Sequence, residues 1–298
     1  MTGPRASSLA RRHRREQRFR RAALACGMVA VLMLVWLLAT IVKLAWPVIV
    51  QADISTLLGR ADSADPGRAG LATAGLGSVL MLLIVAALSL PLGIVSAIYL
   101  QAFAPRTGPG ARAAQALGVM VNNLAAVPGI VYGLLGLALL INGVGLARSA
   151  VLTGGVVLAL RVFPTVVISS RGALSSVPDN AANGALALGA SRMQAVFGHL
   201  LPLAGPGIVT GALLALAQAL GEAAPLLLIG MLAFVSQPPA SISDPATALP
   251  VQTYMWILQG DPAWEARAGA AVLVLLLLIL GIHGLAALAR HWLHRGRS

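Results

Sequence analysis

The sequence predicts an all-α, polytopic membrane protein: a helix bundle with about six transmembrane helices. Two observations on composition and one on pattern carry that prediction. Of 298 residues, 58% are hydrophobic and only 10% charged, and the mean hydropathy is +0.86. A soluble domain carries about 25% charged residues because water must solvate its surface. Apolar runs of about 20 residues, enough to cross a bilayer, recur along the chain.

Arg5, Arg11, Arg12, Arg14, Arg15, Arg18, Arg20 and Arg21 crowd a basic tail, residues 1–21. The charge-free run 22–42 follows directly and forms the first span. It is long enough to cross and has no small-residue cleavage exit, so it reads as a span rather than a signal peptide. The net charge of +12 therefore reads as a topology signal, not a nucleic-acid footprint. The second span, 75–100 with Pro91 inside it, lies in the uncharged stretch between Arg68 and Arg106. The third, 119–141, lies between Arg112 and Arg148, with Asn122 and Asn123 opening it as caps. The fourth, 149–170, is interrupted by Arg161, and the fifth, 206–232, contains Glu222. The sixth is 268–289, bounded by Arg267 and Arg290.

With the N-terminus inside, the cytoplasmic segments hold fifteen Lys and Arg. The outer segments hold five: Lys43, Arg60, Arg68, Arg148 and Arg267. That asymmetry sets orientation, so both termini are expected in the cytoplasm of a bacterial inner membrane. The chain divides into the tail 1–21, a first span with its outer loop (22–68), a core 69–290 and a cytoplasmic tail 291–298.

Two loops are longer than turns. In the outer one, from Phe234 to Glu265, residues 251–258 are amphipathic, and Tyr254, Trp256 and Trp264 suit a membrane-interface belt. The inner one, 171–203, reads as helix, break, helix. Pro178 and Asp179 start a helix and Gly189 ends it; Ser191 caps a second, stopped before Pro202. Paired small residues at spacing four, Gly129 with Gly133 and Gly207 with Gly211, suit close helix packing in lipid.

Several chemistries are disfavoured. Cys26 is the only cysteine, so no disulfide or multi-cysteine metal site forms within one chain. Lys43 is the only lysine and precedes Leu44, which excludes a GxxxxGK[ST] phosphate loop. No catalytic constellation, metal site or cofactor is expected; His199 and His283 read as structural. Arg161 and Glu222 stand apart, because a charge at mid-membrane costs several kcal/mol and faces a cavity or a partner. Counting along ideal helices places them about 18 and about 15 Å below the outer surface. They are expected as a pair that either borders a pathway or clamps two helices.

The inner segment reads Asn183-Gly184-Ala185-Leu186-Ala187-Leu188-Gly189, then nine residues, then His199-Leu200-Leu201-Pro202. It resembles the cytoplasmic loop of ABC-importer permeases, E-A-A, three residues, G, nine residues, I-x-L-P. Asn183 replaces the Glu, Gly184 an Ala and His199 the Ile. The resemblance implies that Asn183, Ala185, Ala187, Gly189, Leu201 and Pro202 couple to a separate ATPase. Val127-Pro128-Gly129-Ile130-Val131-Tyr132-Gly133-Leu134, Ser175-Ser176-Val177-Pro178 and Ala217-Gln218-Ala219-Leu220-Gly221-Glu222-Ala223-Ala224-Pro225-Leu226 are similar to the phosphate-importer permease family. Asp244-Pro245-Ala246-Thr247 and Leu249-Pro250-Val251-Gln252-Thr253-Tyr254 extend the similarity. In that family the position of Gln218 is Arg in many members and Gln in others, which adds Gln218 to the substrate pathway with Arg161 and Glu222. The resemblance implies the type I ABC importer permease fold. The implied partners are two copies of an ATP-binding subunit, a second related permease and a periplasmic phosphate-binding protein. Two other functions fit less well: a permease for molybdate, sulfate or phosphonate, and a membrane scaffold or phosphate sensor that passes no solute.

Overall fold

The computed structural model describes residues 5–51, 54–232 and 234–295, and among them it is helical with no β-sheet. In chain order the helices are α1 (Arg5–Gln51), α2 (Ile54–Gly59), α3 (Ala72–Ile98), α4 (Gly108–Ala125), α5 (Gly129–Leu135) and α6 (Val151–Ser175). Then come α7 (Asp179–Ala187), α8 (Arg192–Ala195), α9 (Leu201–Leu220), α10 (Ala224–Leu228), α11 (Leu249–Ile257) and α12 (Pro262–Arg295). Single π-helical turns extend α3 (Tyr99–Phe103), extend α5 (Gly136–Ile141) and join α8 to α9 (Val196–Leu200).

Five of these helices are long and apolar enough to cross a membrane, and the bent pair α4–α5 makes a sixth crossing. Side-chain contacts settle that the pair crosses rather than turning back. A Cβ on Gly155 of α6 would lie 2.7 Å from Ile84 of α3, and one on Gly93 of α3 would lie 2.7 Å from Val166 of α6. The two helices therefore run parallel, and the segment between them must return across the bundle. α4 lies near the far end of α6, where Gly118 faces Arg171; α5 lies near its beginning, where Gly136 meets Val157. α9 runs antiparallel to α6, with Gly207 against Ala173 and Gly211 against Ser169. α1 and α12 cross where Gly269 meets Ala45 and Leu44. Six crossings put the start of α1, the α7 segment and the end of α12 on one face, called here the basic face.

The packing follows membrane rules. Without a hydrophobic difference between lipid and protein, helices associate where small residues let their surfaces approach. Gly93, Gly154 and Gly155 do this for α3 and α6, around a core that includes Met81, Val85, Val162 and Val166. Three of the four glycines noted above serve packing in the same way: Gly133 against Pro225, Gly207 against Ala173 and Gly211 against Ser169. Gly129 has a different neighbour, described below.

Five sequence expectations are corrected. The third span is not one helix over 119–141 but two, bent by 104°. Pro128 lacks an N–H and disfavours helical backbone at Val127, so the chain breaks between Ala125 and Gly129. Asn122 and Asn123 therefore sit in the last turn of α4 rather than opening a helix. Pro202 does not stop a helix, since the chain is helical from Arg192 to Leu220. The π turn Val196–Leu200 slips the hydrogen-bond ladder just before the proline and relieves its clash with the preceding turn. The fifth span accordingly begins and ends earlier than 206–232. Finally, Trp256 is not part of an interface belt. It is buried, and its Nε1 donates to Asp62 at 3.2 Å.

That contact belongs to a cap on the face opposite the basic one. The Asp62 carboxylate also accepts from Gln252 Nε2 at 2.9 Å and from the Ser63 amide at 3.0 Å. Ser78 Oγ accepts the Leu249 amide at 2.8 Å, fixing α11 to α3. Arg267 Nη1 donates to the Ala69 carbonyl, fixing α12 to the same loop. Burial holds Asp62 above the ordinary carboxylate range, and the bonds from Gln252, Ser63 and Trp256 oppose that only in part. Removing the acceptor with Asp62→Ala is expected to cost roughly 1–3 kcal/mol, because two buried donors lose their partner. A raised folded pKa means that the folded state takes up its proton first. The Asp62 contribution to stability therefore rises as pH falls through that pKa and is complete below the ordinary carboxylate value. As the pH falls through the acid range, the thermal midpoint of wild type should gain on that of Asp62→Asn; a change in the other direction would refute the burial argument.

Candidate functional site

In α6, Arg161, Thr165 and Ser169 recur at spacing four, which aligns them on one face of a helix. Arg161 lies about 15 Å along the helix from its first residue and about 21 Å from its last, near its middle. The facing helix α9 presents Gly211 opposite Ser169 and Gln218 opposite Thr165, whose Oγ1 donates to Gln218 Oε1 at 3.4 Å. Thr165 and Gln218 continue this facing contact toward Arg161 as a polar seam between the two helices. Gln218 is exposed on this chain, and a polar side chain facing outward at this depth calls for something other than acyl chains beside it.

Beyond Gln218, α9 stops at Leu220, and Glu222 follows in the break before α10. Its amide still bonds to the Ala219 carbonyl at 3.3 Å. This break meets the one between α4 and α5. A Cβ on Gly129, the first residue of α5, would collide with Glu222 Oε1 and stand 3.6 Å from Arg161 Nε. Non-helical backbone at membrane depth is tolerated where it is covered by protein or lines a cavity. Here two breaks cover one another, with Gly133 against Pro225 one turn further on.

Arg161 and Glu222 thus converge on the bare backbone of Gly129. They do not close into an ion pair: among the described residues the two charges share this surface without a direct bond, and Arg161 Nε is buried with no hydrogen-bond partner. Tyr132, one turn along α5, is buried near Arg161, and its hydroxyl donates to the Leu124 carbonyl at 2.8 Å across the α4–α5 break. The polar constellation is therefore Arg161, Glu222, Gln218, Thr165 and Tyr132. The sequence singles out neither Thr165 nor Tyr132 as a site residue: Tyr132 stands there only within the 127–134 motif, and Thr165 is legible as the next polar position after Arg161 at helical spacing. No group of three or more metal-binding side chains occurs among the described residues.

The segment on the basic face is built as helix and break. α7 follows Pro178 and ends at Ala187, and Gly189 takes the left-handed backbone (φ 89°) that only glycine adopts without strain. Ser191 and Gln194 close a capping box on α8. Among the described side chains of α7 only Ala185 is buried; Asn183, Ala187, Gly189 and Pro202 are exposed, and Leu201 is half-buried. Leu188 is 91% exposed, an apolar side chain held clear of the bundle. Leu201 and Pro202 belong to the spanning helix, so the structure separates them from the α7 face that carries Asn183 and Ala187.

Residues 89–295 match the family model described as binding-protein-dependent transport system inner membrane component. Residues 6–62 match a second model, a domain of unknown function. The phosphate transport system permease protein PstA of Mycobacterium leprae is 31% identical, over 86% of this chain and 82% of its own length. The protein of the same name from Haemophilus influenzae is 30% identical over 85% and 86%. Among solved structures, an inward-facing form of the MetNI methionine ABC transporter aligns with TM-score 0.54 at 19% identity, covering 73% of this chain and 91% of that one. A bacterial alginate ABC transporter aligns with TM-score 0.52 at 16% identity, covering 91% and 94%. These likenesses show the type I ABC importer permease fold.

The Gly129 geometry yields a direct test. Gly129→Ala should destabilise by about 1–3 kcal/mol, because the added methyl displaces a carboxylate in a packed site. Gly172→Ala, where an added Cβ meets nothing within 4 Å, should be neutral or stabilise by up to about 1 kcal/mol through helix propensity. Thermal unfolding in detergent distinguishes them, and equal midpoints would refute the placement of Glu222.

Proposed function

The chain belongs to the family of binding-protein-dependent transport system inner membrane components, and from that premise we propose that it is the permease subunit of an ATP-driven importer of inorganic phosphate. The observation that carries the substrate is the similarity to phosphate transport permeases over more than four-fifths of both chains. A route suited to an anion is supported by Arg161, near the middle of α6 with its Nε free of hydrogen-bond partners, beside Gln218 and Thr165 on the seam. Glu222 limits the local positive charge, so that an anion is attracted without being held too tightly to leave.

In this reading the basic face is cytoplasmic, as the Lys and Arg distribution favours, and both termini lie there. α7, with exposed Asn183, Ala187 and Leu188, seats on a separate ATP-hydrolysing subunit. That partner's closure is carried through Gly189 and the capped α8 directly into α9, since Arg192 to Leu220 is one continuous helix. The complete assembly would hold two ATPase copies, a second related permease and an external phosphate-binding protein. The seam between α6 and α9, open on this chain, is then covered by the second permease. The division at about residue 69 follows the separate family matches on either side of it.

Cells lacking this chain should lose high-affinity phosphate uptake and keep sulfate and molybdate uptake. Lost molybdate uptake with phosphate uptake intact would replace the substrate assignment. The purified chain alone should hydrolyse no ATP. Within the assembled complex, Arg161→Leu and Glu222→Leu should each lower uptake or yield by about tenfold or more, since an unpaired ion in low dielectric keeps its desolvation cost. The double variant should assemble better than the singles imply and still transport poorly, because the anion has lost its Arg. Near-normal uptake by the double variant would make the pair a clamp, and strictly additive effects would show that the two charges do not interact.

A further inference from the structure

A groove of about 470 Å³ opens between the α7–α8 segment and the basic-face ends of α3 and α6. Its floor is apolar, with Leu174 and Val196, and its rim carries Gln101, Arg106, Asn183 and Arg192. Among the described residues, none that lines it is acidic. Neither arginine makes an ion pair among the described residues. Arg192 is already positioned, its guanidinium lying over the Phe103 ring at 5.9 Å from the centroid. Two uncompensated guanidinium groups on one cavity repel each other, and an anion placed between them relieves that repulsion. A phosphate group suits the task because its several acceptor oxygens engage two planar forks at once, which a single carboxylate does less well. The amide side chains of Gln101 and Asn183 supply further donors on the same rim.

We propose that this groove binds a phosphate-bearing anion, a phospholipid headgroup or free phosphate, between Arg106 and Arg192. The occupant bridges the α7 segment to the bundle. Among its described residues α7 buries only Ala185, so an occupant of the groove adds to its support against the bundle. The assignment rests on the groove alone and is independent of the transported substrate.

The test uses the assembled complex in nanodiscs, read by binding rather than uptake. Discs of phosphatidylcholine with phosphatidylglycerol are assayed for retained phosphatidylglycerol by native mass spectrometry. Discs of phosphatidylcholine alone are assayed for radiolabelled inorganic phosphate. The paired substitution Arg106→Gln with Arg192→Gln is compared with Arg106→Lys with Arg192→Lys. Loss of charge-assisted bonds should weaken binding by about tenfold or more in the Gln pair and less in the Lys pair. Retention of the lipid by wild type, lost in the Gln pair, identifies a headgroup; phosphate binding lost in the same way identifies free phosphate. If the Gln pair leaves both probes unchanged, or if wild type binds neither, the proposal is overturned. Should the Gln pair fail to assemble, Ser175→Cys in a Cys26→Ser background provides the second measurement. Ser175 lines the groove, so the bound probe must slow its maleimide labelling, and unaltered labelling overturns the proposal.

Discussion

A backbone amide or carbonyl at membrane depth must find a partner without help from water. This chain breaks helical hydrogen bonding twice at that depth, at Ala126–Pro128 and at Gly221–Ala223, and the rest of the bundle is arranged so that the breaks lie against each other. α5 and α10, too short to stand alone, pack face to face through Gly133 and Pro225. The parallel pair α3 and α6 holds one side of this junction, and α9 delivers Glu222 to it from the other. The charges sit where the two breaks leave space that a helix surface does not fill.

Much of this architecture was legible in the sequence. Charge-free runs bounded by charged residues mark most of the spans. Gly189 marks the end of α7 because a left-handed residue is required there, and Ser191 with Gln194 marks the start of α8. Arg161 and Glu222 announce themselves because lipid tolerates so few ions. What the sequence hides are the discontinuities. Pro128 and Pro202 have similar local chemistry, yet one breaks its span by 104° and the other sits within a continuous helix. The difference lies in the turn before each: the chain at Pro202 has already slipped into a π turn, and the chain at Pro128 has not. Hydropathy is blind to such a slip. Trp256 was hidden for a different reason. A tryptophan near the end of a span is common in a lipid interface, and only its partner Asp62, 194 residues away, shows that it is buried.

The two faces are built by opposite strategies. On the face opposite the basic one, loop, α11 and the start of α12 are joined by buried hydrogen bonds to Asp62, Ser78 and Ala69, a cap over the bundle. On the basic face, α7 shows its apolar and small residues to the exterior and makes few inward contacts, as Leu188 illustrates. In the proposed coupling role, such a segment gains from weak attachment to its own scaffold and from a stiff connection to the element it drives. The unbroken helix from Arg192 to Leu220 provides that connection.

Gly129 gives the charge site an unexpected genetic shape. The missing side chain is what makes room for the Glu222 carboxylate, so the locus that controls this acid includes a residue with no charge and no functional group. An alanine allele at 129 would carry the phenotype of an acid defect while leaving every ionisable residue in place. Its natural second-site suppressor would be Glu222→Asp, which withdraws the carboxylate by one methylene and returns the volume that the methyl occupies. Suppression restricted to this pair, and absent for other alleles at either position, is the signature of a site specified by space as much as by charge.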